Sequence, residues 1–408
     1  MTTTSPKSSP RALIVGLGIS GISTAIALRK AGWTPVIIEK AATRRGGGYF
    51  IGMFGSGRIA ADRLGILKGL HNRIPSPSVN YEVDRSGRRR PGMGFADLPN
   101  GPWMMMRGDV ERAAFDALPE DVEVRYATVP EAIEQDGEGV TVTLRNTADH
   151  STHSERFDLV VGADGLRSTV RRLAFGAPEK YLHRLNYMIA AFALPEDLPG
   201  LTRGEGAILV EPGRSFWVFP FADRPSTVLF SYRTDDVDAE FATPAARRIR
   251  EVYGPEPLGE MMEAAVRVLE SSDEYLFDSV EQARLDRWHR GRVVLVGDAA
   301  WCPTLYSGMG ATSGIAGADL LGAMLRRHPG DLEQALTSWE QKLRPYVDAH
   351  QKSGVSNRVG FTPTTRAERV RRALLMRFRR VVFGSPALYR LIARSKQMRL
   401  RNEDLAAA

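Results

Sequence analysis

The sequence predicts an α/β fold: a Rossmann-type dinucleotide-binding domain with an inserted, mostly antiparallel β-sheet domain and a C-terminal helical segment. Three observations predict it. A short apolar strand, Ala12–Val15, runs into Gly16-Leu17-Gly18-Ile19-Ser20-Gly21 and then into a helical stretch, Ile22–Ala31. From about Tyr181 to Phe277, short apolar runs are divided by Pro, Gly and Asp turns, the texture of an antiparallel sheet. From Asp331 onward the pattern is helical, with a break at Thr362–Thr365. A chain of 408 residues, 43% hydrophobic and 25% charged, has room for about two or three compact units.

The expected division has a disordered lead-in over 1–10, then a discontinuous nucleotide-binding domain over 11–80, 100–180 and 278–330. A substrate-binding domain takes 81–99 and 181–277, and C-terminal helices take 331–408. The lead-in has no apolar stretch behind its basic residue, so it does not read as a signal peptide. No apolar run reaches the roughly 18 residues of a membrane span. Cys302 is the single cysteine, which excludes internal disulfides and multi-cysteine metal sites and fits a reducing cytoplasm. The histidines are scattered and read as surface residues, and no metal-ligand spacing is visible.

The net charge of +7 is concentrated near the C-terminus, where twelve basic residues between Arg366 and Arg401 stand against Glu368 alone. The expectation there is a helix whose apolar side (Leu374, Leu375, Phe378, Val381) packs on the body while the arginines face water. Contact with a membrane surface is the alternative. No aromatic–basic module for nucleic acid accompanies the stretch. A monomer and a dimer are both compatible with the sequence.

The hexapeptide carries the first chemical expectation. Gly16 makes the tight turn, Gly18 lets a pyrophosphate approach the backbone, and Gly21 allows close helix–strand contact. The phosphates then rest on the free N–H groups around Ile19 and Ser20, at the positive end of the helix dipole. The second strand, Val36–Ile38, ends in Glu39 and Lys40, with the acid near the spacing that grips adenosine ribose hydroxyls. A 2′-phosphate facing Glu39 would be repelled, so this motif suits NAD or FAD and not NADP.

Two later motifs narrow the choice. Strand-like Leu159–Val161 enters Gly162-Ala163-Asp164-Gly165-Leu166-Arg167-Ser168-Thr169-Val170-Arg171, and strand-like Val293–Val296 enters Gly297-Asp298-Ala299-Ala300. Together with Gly16–Gly21, over roughly Arg11–Gln351, they make the chain resemble the single-component FAD-dependent monooxygenases. That family includes p-hydroxybenzoate hydroxylase and the tetracycline-inactivating monooxygenases. The resemblance implies non-covalent FAD, NADPH or NADH as a transient reductant, and O₂. It also implies insertion of one oxygen atom into an aromatic or polyketide-like small molecule by way of a flavin C4a-hydroperoxide, in secondary metabolism or drug inactivation. An oxidase, a reductase, a non-redox cyclase and a non-catalytic FAD-bearing protein are the rival readings. The absence of a second glycine fingerprint fits a nicotinamide that visits without a domain of its own.

The resemblance also implies roles for residues. Asp298 contacts the ribityl and pyrophosphate region, and the loop from Pro303 through Gly308, Met309, Gly310 and Ala311 runs along the flavin ring with its N–H groups near the pyrimidine side. Asp164 lies near FAD and the visiting nicotinamide, while Arg167 and Arg171 are phosphate or structural contacts. Arg107 stands near the flavin. The loop Arg44-Arg45-Gly46-Gly47-Gly48-Tyr49 approaches it, with Arg45 preferred over Arg44 as a cofactor ligand and Gly48 beside it. Trp301 and Cys302 read as packing residues. The substrate wall is expected from the inserted sheet, at Phe216, Trp217 and Phe219, and no catalytic acid or base can be named.

Overall fold

The computed structural model describes residues 9–44, 48–98, 100–383 and 385–407. The nucleotide-binding half is built on a six-stranded sheet in the order His289–Arg290, Val293–Leu295, Leu159–Gly162, Arg11–Val15, Thr34–Ile38, Glu123–Arg125. Its inner strands are parallel and almost wholly buried, with Ala12, Leu13, Ile14, Leu159, Val160 and Val161 at 0% exposure. Burial on both faces is why these strands read as unbroken apolar runs, without alternation. The register decides where the site lies. Val15 pairs with both Ile38 and Gly162, and Gly162 pairs with Leu295. Gly16, Glu39, Ala163 and Gly297 therefore all leave the sheet at one carboxyl edge, where open α/β sheets bind ligands.

The inserted sheet has seven strands, ordered Leu276–Ala283, Leu182–Ala193, Thr227–Arg233, Arg214–Phe219, Glu205–Glu211, Val79–Val83, Arg89–Pro91. It is antiparallel except where Glu205–Glu211 runs parallel to Val79–Val83. Helices Ala245–Tyr253 and Glu260–Ser271 cover one face, and its other face looks toward the nucleotide-binding edge.

Several expectations are corrected. Leu276–Ala283 belongs to the inserted sheet, pairing with Leu182–Ala191, so the chain returns to the nucleotide-binding half after Ala283 and not at 278. The two helices on the inserted sheet, Ala245–Tyr253 and Glu260–Ser271, are separated around Gly254–Gly259. Separately, Val140–Asn146 is the middle of a three-stranded antiparallel sheet with Thr128–Gln135 and Thr152–Phe157. The last of these strands is polar and mostly exposed, so no apolar alternation announces it. His289 and His350 are buried, the former bonded through Nδ1 to Glu340 at 2.9 Å.

At the C-terminus a long helix, Leu332–Phe361, is followed by Arg366–Phe383, Pro386–Ala393 and Lys396–Arg401. The expected seating of the basic helix is reversed. Leu374, Leu375 and Phe378 are 61%, 44% and 66% exposed, while Arg372 is buried, donating to the Gly360 carbonyl at 2.8 Å and to Glu82 at 2.7 Å. At about 100° per residue, Arg372 and Met376 point away from Val370, Leu374 and Phe378, and it is the Arg372 side that meets the body. The Val381 side chain and most of the lead-in lie outside the described residues.

Candidate cofactor and substrate site

A cavity of about 300 Å³ opens at the carboxyl edge of the six-stranded sheet, between it and the inserted sheet. One end is backbone and charge: Gly18, Ile19 and Ser20 at the start of helix Ile19–Lys30, Gly308, Gly310 and Ala311 at the start of helix Gly310–Arg327, and Tyr49, Arg107, Asp298 and Pro303. The other end is apolar, with Phe50, Phe95, Phe219, Phe361, Ile189 and Leu229. Two helix N-termini thus meet one cavity, each presenting N–H groups without partners in their own helix.

The glycines divide their work as the geometry requires. Gly16 has φ +109, and a Cβ there would lie 2.6 Å from the Ala163 carbonyl oxygen. A Cβ on Gly21 would meet the Gly16 carbonyl oxygen at 1.9 Å. Gly18 differs: the nearest atom to its would-be Cβ is an Arg107 guanidinium nitrogen at 3.9 Å. The backbone at Gly18 is therefore open to the cavity beneath a positive charge, a cradle that suits pyrophosphate. Arg107 is held by Glu111 at 2.8 Å, and its N–H donates to the Tyr49 carbonyl.

Glu39 lies outside the cavity lining and fastens the turn: Oε2 accepts from Leu17 N–H and Oε1 from Ala41 N–H, each at 3.0 Å. Each oxygen keeps a lone pair for a ribose hydroxyl. Lys40 is exposed and apart from the cavity. Gly48, at φ +145, packs against the start of helix Arg107–Asp116, since a Cβ would lie 2.8 Å from Gly108 N. Arg45 lies outside the described residues, and Arg44 stacks over Phe115 at 4.3 Å, away from the cavity.

Asp298 opens the short helix Asp298–Trp301 after Gly297, whose φ of +60 and nearness to Ser20 Oγ (2.2 Å from a would-be Cβ) exclude a side chain. Asp298 is exposed and lines the cavity; the enclosing protein pushes its pKa up, opposed by the Cys302 thiol and the field of Arg107. Among the described residues no backbone N–H or basic side chain bonds it. A carboxylate so placed, 3.8 Å from a would-be Cβ on Gly310, fits a polyhydroxylated chain laid across it. Cys302 borders the same space with its thiol pKa raised well above normal by burial and by Asp298, so it is not a reactive thiolate.

The remaining predicted residues take different places. The Asp164 carboxylate turns onto its own loop, accepting from Ser168 Oγ and Thr169 N–H at 2.6 Å and Val170 N–H at 3.1 Å. Its neighbours Ala163 and Gly165 line the cavity instead. Arg171 is buried and bonds carbonyls, and Arg167 pairs with Asp278 and Glu281. The Met309 side chain is in the core and its N–H is taken by Ser307 Oγ at 3.1 Å, which leaves Gly310 and Ala311 as the donors of that loop. Trp301 sits in a buried cluster with Trp288 and Trp339.

The expectation that Phe216 lines the substrate wall is corrected. Strand parity turns it to the helix-covered face, where it meets Phe230 at 4.7 Å. Phe219 faces the cavity, stacked on Phe50 at 4.3 Å. Trp217 shares that face but borders a second cavity, of about 340 Å³, beyond Phe95 and Phe361. Sequence reasoning missed Phe50, Phe95 and Phe361, while Tyr49 closes the expected flavin-approaching loop and does line the cavity. Phe50 had a local signal, the short apolar strand after the Gly48 loop, and Phe361 had none.

A glycine cradle, an acid at the end of the second strand and a carboxylate facing a second helix N-terminus define a flavin dinucleotide protein. Residues 10–329 match the model of the family described as FAD binding domain. The chain belongs to that family, the FAD-dependent monooxygenases, with FAD as cofactor. It is 30% identical over 374 residues to Monooxygenase CTB7 of Cercospora beticola, covering 85% of each chain. It is 27% identical over 350 residues to a flavin-dependent monooxygenase of Legionella longbeachae, covering 84% of this chain and 87% of the other. Among solved structures, tetracycline destructase Tet(51) superposes with a TM-score of 0.74 at 25% identity, over 92% of this chain and 97% of that one. Klebsiella pneumoniae HpxO, complexed with FAD and uric acid, shares the fold with a TM-score of 0.71 at 20% identity, over 94% and 96%.

Proposed function

We propose that this enzyme uses NADPH or NADH and O₂ to place one oxygen atom on an electron-rich carbon of a bulky aromatic or polyketide-like molecule. The observation that carries the reading is the single cavity with two unlike ends: an aromatic wall of Phe50, Phe95 and Phe219 opens directly onto the Asp298 and Gly308–Ala311 cradle. FAD, when bound, supplies hydride acceptance and oxygen activation. Gly18, Ile19, Ser20 and Arg107 would hold its phosphates, Glu39 its ribose, Asp298 its ribityl hydroxyls, and Gly310 and Ala311 N–H groups would favour negative charge on its ring. The aromatic side chains orient the substrate and keep water out of the reacting space.

The titratable groups lining the cavity, Tyr49, Arg107, Asp298 and Cys302, all stand at the cradle end. Among the described residues no carboxylate or imidazole borders the aromatic end, so the reading assigns activation to the substrate itself, as in a phenol. A ketone at the same place would give Baeyer–Villiger insertion. The tetracycline named in the destructase structure supports a bulky polycyclic substrate, which suits secondary metabolism or drug inactivation. The test is nicotinamide oxidation by FAD-loaded protein across a panel of polycyclic phenols, with product masses measured. Stimulated oxidation with a product one oxygen heavier is expected. An FAD that neither nicotinamide reduces, with any phenol present, sinks the reading.

A further inference from the structure

Outside the cavity, the largest unexplained feature is the outward side of the C-terminal helices. On Arg366–Phe383, Val370, Leu374 and Phe378 are 57%, 61% and 66% exposed. Spaced four apart, they form one stripe. Leu388 and Leu391 of the next helix add 41% and 68% exposure. Large apolar side chains clustered in water mark an interaction surface. Its rim is positive: Arg366, Arg369, Arg371, Arg390 and Arg394 are exposed and, among the described residues, form no ion pair. From Arg369 to Asn402 the sequence has eleven basic residues and no acidic one.

We propose that this face docks the protein on an anionic lipid surface. The apolar stripe would enter the acyl boundary while the flanking arginines meet lipid phosphates, as in-plane amphipathic helices do. A second copy of the chain fits poorly. A two-fold interface sets a patch against itself, so an unrelieved run of arginines would face its own image. Nucleic acid fits the arginines but leaves Leu374 and Phe378 without a partner. No described helix is long and apolar enough to cross a membrane, so the contact is peripheral.

The test uses the full chain with FAD bound, sedimented with vesicles of phosphatidylglycerol and phosphatidylcholine, or of phosphatidylcholine alone. Partitioning at least about tenfold stronger onto the anionic vesicles, weakened by added salt, is expected. The double variant Leu374→Ser/Phe378→Ser should lower it by about tenfold or more. Both side chains are already in water, so FAD content and the unfolding midpoint should stay at parental values, which separates lost docking from misfolding. Equal affinity for both vesicle types, no partitioning, or a variant that binds like the parent would overturn the proposal. So would sedimentation velocity showing a dimeric parent and a monomeric variant, which would give the face to a second copy.

Discussion

The guanidinium of Arg171, 1% exposed, donates through Nη1 to the Ala299 carbonyl at 2.8 Å and through Nη2 to the Leu166 carbonyl at 2.5 Å. One side chain thus fastens the loop after Gly162 to the loop that presents Asp298. Removing it orphans two carbonyls and leaves a void. Arg171→Leu is expected to cost about 2–4 kcal/mol, read as a lower urea midpoint, and to weaken FAD retention in the protein that remains folded.

Gly21 has no room for a methyl group. With a would-be Cβ 1.9 Å from the Gly16 carbonyl oxygen, Gly21→Ala must push the helix off the turn that holds the pyrophosphate. FAD affinity should fall by about a hundredfold or more, equivalent to about 2.7 kcal/mol, measured by flavin fluorescence on titration. Gly32→Ala serves as the contrast: nothing lies within 4 Å of its would-be Cβ, so any cost there is backbone strain at φ +85 and should spare the affinity.

How much of this was legible in the sequence depends on the distance over which each feature is decided. Gly16, Gly18, Gly21 and Asp298 announce themselves because a tight turn, a close approach and a strand-end carboxylate are local requirements. The fate of Asp164 is also local, yet three nearby donors capture a carboxylate that motif reasoning aims at the cofactor. Phe361 reaches the cavity from the end of a long helix by tertiary contact alone. The basic helix shows its amphipathicity plainly, but periodicity cannot say which face turns inward. The bond from buried Arg372 to Glu82, 290 positions away, settles that.

Phe216 and Phe219 separate stability from recognition. Phe216 is fully buried against Phe230, so Phe216→Ala should cost about 3–5 kcal/mol of stability while leaving KM unchanged in folded protein. Phe219 faces the cavity on Phe50. Phe219→Ala should raise KM for an aromatic substrate about tenfold, from lost apolar and ring contact, and release more peroxide per nicotinamide oxidised. Steady-state kinetics with peroxide detection distinguishes the two.

His350 should make the fold acid-sensitive. It is 2% exposed against Tyr346, and burial, with the field of Arg401, pulls its pKa from 6.5 to about 3. Between those values the unfolded chain binds a proton that the folded chain refuses. Stability is therefore full above pH 6.5 and declines as pH falls toward about 3, a contribution on the order of 5 kcal/mol. His350→Leu should flatten that part of the profile relative to the parent, measured by urea unfolding across the acid range.

The central claim is that the cradle and the aromatic wall work as one oxygenating site. It is tested most directly by turnover of a stimulating phenol under isotopically labelled O₂, with mass spectrometry of the product. The account predicts one labelled oxygen atom in the product for each nicotinamide oxidised in the coupled reaction. An oxidised product with no label, its oxygen drawn from water or all O₂ recovered as peroxide, would contradict it.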